Sequence, residues 1–258
     1  MSELIGQSAY VARRHILHSF RQPWLIAINL VQPFLWLLLF SATFNRIATI
    51  PGFGESNYAQ FFLPGLIVMT VLLTAGWSGM SLLADMERGT LDRMLASPAR
   101  PASLIIGPLL QQIVSGVVPT AILVAIGYGL GVTFRGGLVG VLVVVLALAA
   151  IAAAIAALSN AVALLVRREE SLIAVVNFVI MPMTFLSTAF MPRGLVPGWV
   201  ATAVAANPVN WAVELSRAAF NGTLSARPVL MYLGLLFGLA FGTVLLARAA
   251  LAHFRQTG

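Results

Sequence analysis

The 258-residue chain contains no cysteine and no lysine, and each absence removes whole classes of chemistry. Without cysteine there are no disulfides, no thiolate metal ligands and no cysteine nucleophile. Without lysine there is no P-loop lysine, no Schiff base and no attachment point for pyridoxal phosphate. Charge is also scarce. Only 9% of residues are charged and 60% are hydrophobic, with a mean hydropathy of +0.96, whereas soluble domains carry about 25% charged residues. So few charges cannot clothe a water-soluble surface, which argues against a soluble enzyme or regulator. No H-E-x-x-H or G-x-S-x-G pattern occurs, so an intramembrane enzyme has no visible machinery either.

What the chain does have is six long apolar runs, over residues 24–44, 61–84, 103–132, 138–166, 171–191 and 229–247. Each approaches or exceeds the roughly 20 residues that carry a helix across about 30 Å of hydrocarbon. Backbone groups find no water there, so helices are the expected form. The run over 139–157 does not alternate as a barrel strand would. The expected architecture is all-α: a single polytopic domain, residues 1–258, with six transmembrane helices.

All fifteen basic residues are arginines. With alanine-heavy usage, this points to a GC-rich bacterial genome and hence a bacterial inner (plasma) membrane. A pI near 11.2 would point to a nucleic-acid partner in a soluble chain. Here the arginines sit between apolar runs, and topology explains them better. With the N-terminus in the cytoplasm, Arg13, Arg14, Arg21, Arg88, Arg93, Arg100, Arg167, Arg168, Arg248 and Arg255 lie inside. Arg46, Arg135, Arg193, Arg217 and Arg227 lie outside. Ten against five in short loops places both termini in the cytoplasm.

Residues 1–22 interleave Leu4, Ile5, Tyr10, Val11, Ile16, Leu17 and Phe20 with Arg13, Arg14, His15, His18 and Arg21. That pattern predicts an amphipathic helix lying in the inner interface, against anionic membrane lipids. His15 and His18 lack a third ligand nearby, so no metal site is expected. Pro119 is expected to kink the third span. Gly234, Gly238 and Gly242 form a small-residue stripe on the sixth span, and Gly127 and Gly131 repeat the spacing on the third. Close packing within the bundle is the expected use of both.

Residues 85–98 gather three acids and two arginines in a chain otherwise nearly uncharged. Leu91, Met94 and Leu95 share one helical face, with Asp92 and Arg93 opposite, and Ser97-Pro98 ends the helix. A short amphipathic helix held between two spans is shaped to dock on a soluble partner. The stretch from Glu87 through Thr90, Leu91, Asp92 and Arg93 to Ser97-Pro98 resembles the "ERGTLERLLATP" loop of type-2 ABC exporter permeases, in their daunorubicin/doxorubicin drug-resistance branch. Further along, Phe185-Leu186-Ser187, Pro192, Pro197-Gly198-Trp199, Asn207-Pro208 and Arg217 resemble that family's "FLS…P…LPGW…NP…R" signature.

The resemblance implies a permease that pairs with an identical or paralogous second permease and with two copies of a separately encoded ABC ATPase. ATP and magnesium would sit on that ATPase, with no cofactor in this chain. Residues 85–98 would be the cytoplasmic coupling helix, with Glu87, Arg88, Gly89, Thr90, Leu91 and Asp92 as its contacts. Asp92 stands where the family usually has glutamate. The missing lysine independently prevents a Walker-type loop here.

Residues 192–227 read as an outer re-entrant hairpin of two short helical stretches, 197–206 and 208–220, with Asn207 as cap and Pro208 in the first turn. Trp199 and Trp211 suit a headgroup level, and Glu214 and Arg217 are spaced to pair. The resemblance makes this region the external gate, with Pro197, Trp199, Asn207, Pro208, Trp211, Glu214 and Arg217 as its residues. It also implies that the second and fifth spans face each other across a dimer. Their candidate route residues are Met69, Thr70, Thr74, Trp77, Asn177, Phe178, Met181, Thr184 and Phe185; Gln111 and Gln112 are weaker candidates near the cytoplasmic side. Methionines and aromatics make adaptable apolar walls, and Asn177 is a costly group at depth without a partner. The expected cargo is an amphipathic drug, lipid or glycolipid. The competing classes are an ion-coupled secondary carrier, which usually places ionisable groups at mid-membrane, and a non-transporting membrane anchor of an ATPase.

Overall fold

The computed structural model describes residues 23–50, 53, 57–90, 112 and 116–257. Among the described residues every regular element is helical: α1 (Pro23–Phe44), α2 (Tyr58–Gly76), α3 (Ser78–Glu87), α4 (Val117–Gly129), α5 (Gly137–Val166), α6 (Glu169–Phe185), α7 (Gly198–Ala206), α8 (Pro208–Asn221) and α9 (Ala226–Thr257), with short 3-10 turns at Asn45–Thr49 and Arg193–Leu195. Three helical segments, Tyr58–Glu87, Gly137–Val166 and Ala226–Phe254, are long and apolar enough to cross a membrane. Leu30–Phe44 and Val117–Gly129 are shorter apolar helices. This is a multi-pass membrane protein. The predicted interfacial helix over 1–22 and residues 103–111 and 113–115 of the predicted third span lie outside the described residues.

α5 is the hub, packing against α2, α3, α6, α8 and α9. Its sequence explains why. Ala147, Ala150, Ala154, Ala157, Ala161 and Ala163 are buried along it, and such short side chains let neighbouring backbones approach closely. α2 is the most enclosed element. Phe62, Leu63, Leu66, Ile67, Met69 and Leu72 are fully buried on it. Gly127 on α4 is where Leu63 comes in: a Cβ there would lie 2.3 Å from Leu63 Cδ2. Pro119 falls in the first turn of α4 as described, and residues 113–115, on which the expected kink of the third span depends, lie outside the described residues. Among the described residues, nothing lies within 4 Å of where a Cβ would sit at Gly234, Gly238 or Gly242 on α9. The expected packing within the bundle is therefore met at Gly127 and not on α9, because α9 turns its stripe away from α5.

The second span is longer than expected and broken. α2 stops at Gly76, Trp77 interrupts, and α3 continues to Glu87. Ser159 of α5 holds the break. Its hydroxyl donates to the Gly76 carbonyl at 2.6 Å and accepts from the Gly79 N–H at 3.0 Å. Two backbone groups orphaned by the interruption are thereby satisfied. Gly79 is required for the contact, since a Cβ there would lie 2.7 Å from the Ser159 carbonyl oxygen.

The fifth run forms a 17-residue helix, α6, rather than reaching residue 191. Pro182 lies in its last turn, and Asn207 Nδ2 takes the freed carbonyls of Met183 and Leu186, both at 2.6 Å. The chain then turns back through 186–192.

Candidate transport cavity and its flanking segments

A cavity of about 680 Å³ opens between α1, α2 and α6, lined by Gln32, Pro33 and Trp36, by Leu66, Met69, Thr70, Leu73, Thr74 and Trp77, and by Asn177, Ile180, Met181, Thr184 and Phe185. Helical periodicity places them there. Thr70 and Thr74 are four apart on α2, and Asn177, Met181 and Thr184 recur at three and four on α6. Of the nine route candidates, the structure brings Met69, Thr70, Thr74, Trp77, Asn177, Met181, Thr184 and Phe185 to this one cavity. Phe178 is not among them; it points away from the bundle and is 81% exposed. Gln32 and Trp36 on α1 were missed from sequence. Gln32, a polar amide inside an apolar run, carries the same signal that singled out Asn177.

The polar groups are held by local bonds. Thr70 Oγ1 donates to the Leu66 carbonyl and Thr74 Oγ1 to the Thr70 carbonyl, each at 2.8 Å. Asn177 Nδ2 donates to the Ile173 carbonyl at 3.0 Å. Gln112 Nε2 reaches across to the Thr74 carbonyl, which places one of the two weaker candidates at the cavity's edge; Gln111 lies outside the described residues.

At one end of the cavity the α7–α8 pair is pinned by a polar clamp. Asn207 caps α8, its Oδ1 accepting from Val209 N at 3.0 Å with Pro208 in the first turn. Asn210 Oδ1 accepts from the Thr188 N–H at 3.0 Å and from its hydroxyl at 2.6 Å, while Nδ2 donates to Glu214 at 2.8 Å. Arg217 donates to the Thr188 carbonyl at 2.8 Å, and its guanidinium lies 3.9 Å from the centre of the Phe61 ring on α2. Such a stacked, forked donor is a role lysine could not fill. The clamp thus ties α8 both to the segment after α6 and to α2. Trp211 Nε1 donates to the Ala205 carbonyl at 2.8 Å, closing the α7–α8 corner. Pro197 precedes α7, and Trp199 stands out at 71% exposure. Asn210 and Thr188, the centre of the clamp, were not among the sequence candidates.

At the other end, α3 carries Asp85 and Glu87 in its last turn and closes with the Arg88 N–H bonded to the Ala84 carbonyl at 3.2 Å. Gly89 takes the left-handed conformation, φ +64°, which glycine adopts without penalty and which reverses the chain after a helix. Residues 85–87 thus lie in the last turn of α3, Arg88 and Gly89 form the turn that follows it, and Thr90 is helical again. Leu91 and Asp92 lie outside the described residues.

The sequence profile of the ABC-2 type transporter family matches residues 6–221. The chain belongs to this family. It is 30% identical over 195 residues to the daunorubicin resistance ABC transporter permease protein DrrB1 of Streptomyces coeruleorubidus, covering 75% of this chain and 67% of that one. A probable doxorubicin resistance ABC transporter permease, DrrC of Mycobacterium tuberculosis, is 26% identical over 201 residues, covering 78% and 70%. A putative transport permease of Cyanophora paradoxa, ycf38, is 27% identical over 215 residues, covering 82% and 73%. The protein is a type-2 ABC permease of the drug-resistance branch, a transport subunit. Permeases of this class work in general with an ABC ATPase.

Proposed function

We propose that this ABC-2 permease moves an amphipathic drug, lipid or glycolipid out of the cytoplasm or inner leaflet of a bacterial inner membrane. The route runs along the α1–α2–α6 cavity, and the drive comes from two copies of a separately encoded ATPase that carries ATP and magnesium. The observation that supports this best is the cavity itself. Its walls gather tryptophan, methionine and phenylalanine around a few uncharged polar groups, the lining a largely apolar cargo needs. Of its lining residues, Met181 and Phe185 of α6 are exposed, so the cavity has an open side. A second permease, identical or paralogous, would cover that side.

The ATPase docks on the segment that includes Glu87, Arg88, Gly89, Thr90, Leu91 and Asp92, with both chain termini on the same, cytoplasmic side. α3 then links that contact directly to Trp77 at the cavity wall. The six apolar runs serve as six spans. The α7–α8 pair, with Pro197, Trp199, Asn207, Pro208, Trp211, Glu214 and Arg217, closes the outer end as the gate. The test is replacement of Leu91 and Asp92 in the permease co-reconstituted with its ATPase. ATP hydrolysis persists while export of daunorubicin, used as the probe, is lost. Undiminished export from that double variant refutes the coupling assignment, and export that continues without the ATPase refutes the energetic one.

A further inference from the structure

A second cavity, of about 80 Å³, lies beside the α2–α3 break, in the cleft between α5 and α6. Leu158 and Val162 of α5 and Val175 and Val179 of α6 wall it, and Gly76 and Ser159 complete it. It shares only Ile180 with the large cavity. The Ser159 hydroxyl is the one polar side-chain group among its lining residues, and it is already committed to the Gly76 carbonyl and the Gly79 N–H. Polar atoms of a guest would meet only paired groups here and would lose hydrogen bonds on entering. The guest is therefore hydrocarbon. Size narrows the choice. An apolar cavity of about 150 Å³ holds one benzene, so this one has no room for an aromatic drug or a sterol ring system. It does fit a short stretch of a linear alkyl chain whose remainder stays outside.

The cleft's position supplies such chains. Ser159 precedes Arg167 by eight residues, about 12 Å along a helix, and no charged residue interrupts α5 between Gly137 and Val166. Val175 is 37% exposed, so the cleft opens outward from the bundle at hydrocarbon depth. Within a bilayer the gain comes from packing rather than from leaving water. A void leaves its lining atoms without contacts on one side, and a seated chain restores them. We propose that this cleft is a lipid site, in which one acyl chain of a membrane phospholipid lies between α5 and α6 against Gly76 and Ser159. The bound chain packs on the break and is distinct from any cargo in the large cavity. Ile180, part of both walls, is the side chain through which the two cavities touch.

The test uses the full-length permease in nanodiscs of phosphatidylethanolamine and phosphatidylglycerol. The probe is a phosphatidylcholine carrying a diazirine midway along one acyl chain. After photolysis, peptide mass spectrometry maps the label. Leu246 of α9 is the reference. The Arg167–Phe254 contact aligns the two helices, so Leu246, eight residues before Phe254, matches Ser159 in depth. At 57% exposure Leu246 also meets more lipid than Val175 does. Label on Leu158, Val162, Val175 and Val179 should nevertheless exceed that on Leu246 by at least about threefold per residue, the preference that a handful of recovered carbon–carbon contacts supplies. Val179→Phe fills the void and should bring the ratio to about one, whereas Val179→Ala enlarges it and should raise the ratio. Label that follows exposure alone in the parent overturns the proposal, as does a ratio unmoved by both variants. Label at Leu246 with none in the cleft means that protein covers the site, and overturns it too. Each of these failures leaves the transport reading standing.

Discussion

Replacing Ser159 by alanine removes one oxygen and one hydrogen, yet it strips two backbone groups of their partners. The Gly76 carbonyl loses a 2.6 Å bond and the Gly79 N–H a 3.0 Å one, both at a site buried between α5 and the α2–α3 break. Side-chain hydrogen bonds in membrane bundles average about 0.6 kcal/mol and reach about 1.7 kcal/mol. Two of them bound the loss at roughly 1–3 kcal/mol. In a chain of this length that lowers the thermal midpoint by about 2–4 °C for each kcal/mol. Thr243→Val is the matched control, because the Thr243 hydroxyl bonds only the Leu239 and Ala240 carbonyls of its own helix. It should stay within about 0.5 kcal/mol of the parent, in the range of changes that break no cross-helix bond. The assay is unfolding in mixed micelles by titration with dodecyl sulfate, followed by circular dichroism. If Ser159→Ala matches Thr243→Val, the break at Trp77 is not held by Ser159, and the account of that break fails.

Other expectations follow from single contacts. Gly79→Ala pushes a methyl to 2.7 Å from the Ser159 carbonyl and should cost about 1–3 kcal/mol through overpacking. Gly129→Ala has open space around it and should be neutral or slightly stabilising; the same unfolding titration measures both. Asn207→Ala removes the α8 cap and both ties to α6. Amide hydrogen exchange across α7 and the start of α8 should rise at least tenfold, while α5 stays protected. In the cysteine-free background, Phe178→Cys should form an oxidised dimer in membranes if two copies meet across α6. Leu142→Cys, exposed on α5, should remain monomeric on the gel.

Much of this was legible from composition and period. Scarce charge and long apolar runs give a helical membrane bundle, and the fourth and sixth runs match α5 and α9 within a few residues at their starts. That the second and fifth spans face each other came from the family resemblance, and across a dimer; in the structure Thr70, Thr74, Asn177 and Thr184 line one cavity within a single chain. The interruption at Trp77 could not be read that way. Gly76 and the Ser78-Gly79 pair flank it and weaken the helix there, but the bonds that hold it come from Ser159, more than eighty residues away in sequence. The truncation of α6 was likewise hidden, since its end is set by Asn207 from the next hairpin. Gln32 and Trp36 joined the cavity only once α1 was seen packed on α2. Local pattern names the faces; long-range hydrogen bonds decide where helices break and stop.

The central claim is that cargo passes through the α1–α2–α6 cavity. A single Thr74→Cys permease, co-reconstituted with its ATPase in inside-out vesicles, offers a unique thiol on the cavity wall. After labelling with a bulky maleimide, ATP-driven daunorubicin uptake should fall by at least tenfold. Prior daunorubicin should slow the labelling, and the same label at Leu142→Cys should change nothing. Full transport with Thr74→Cys completely labelled would contradict the account.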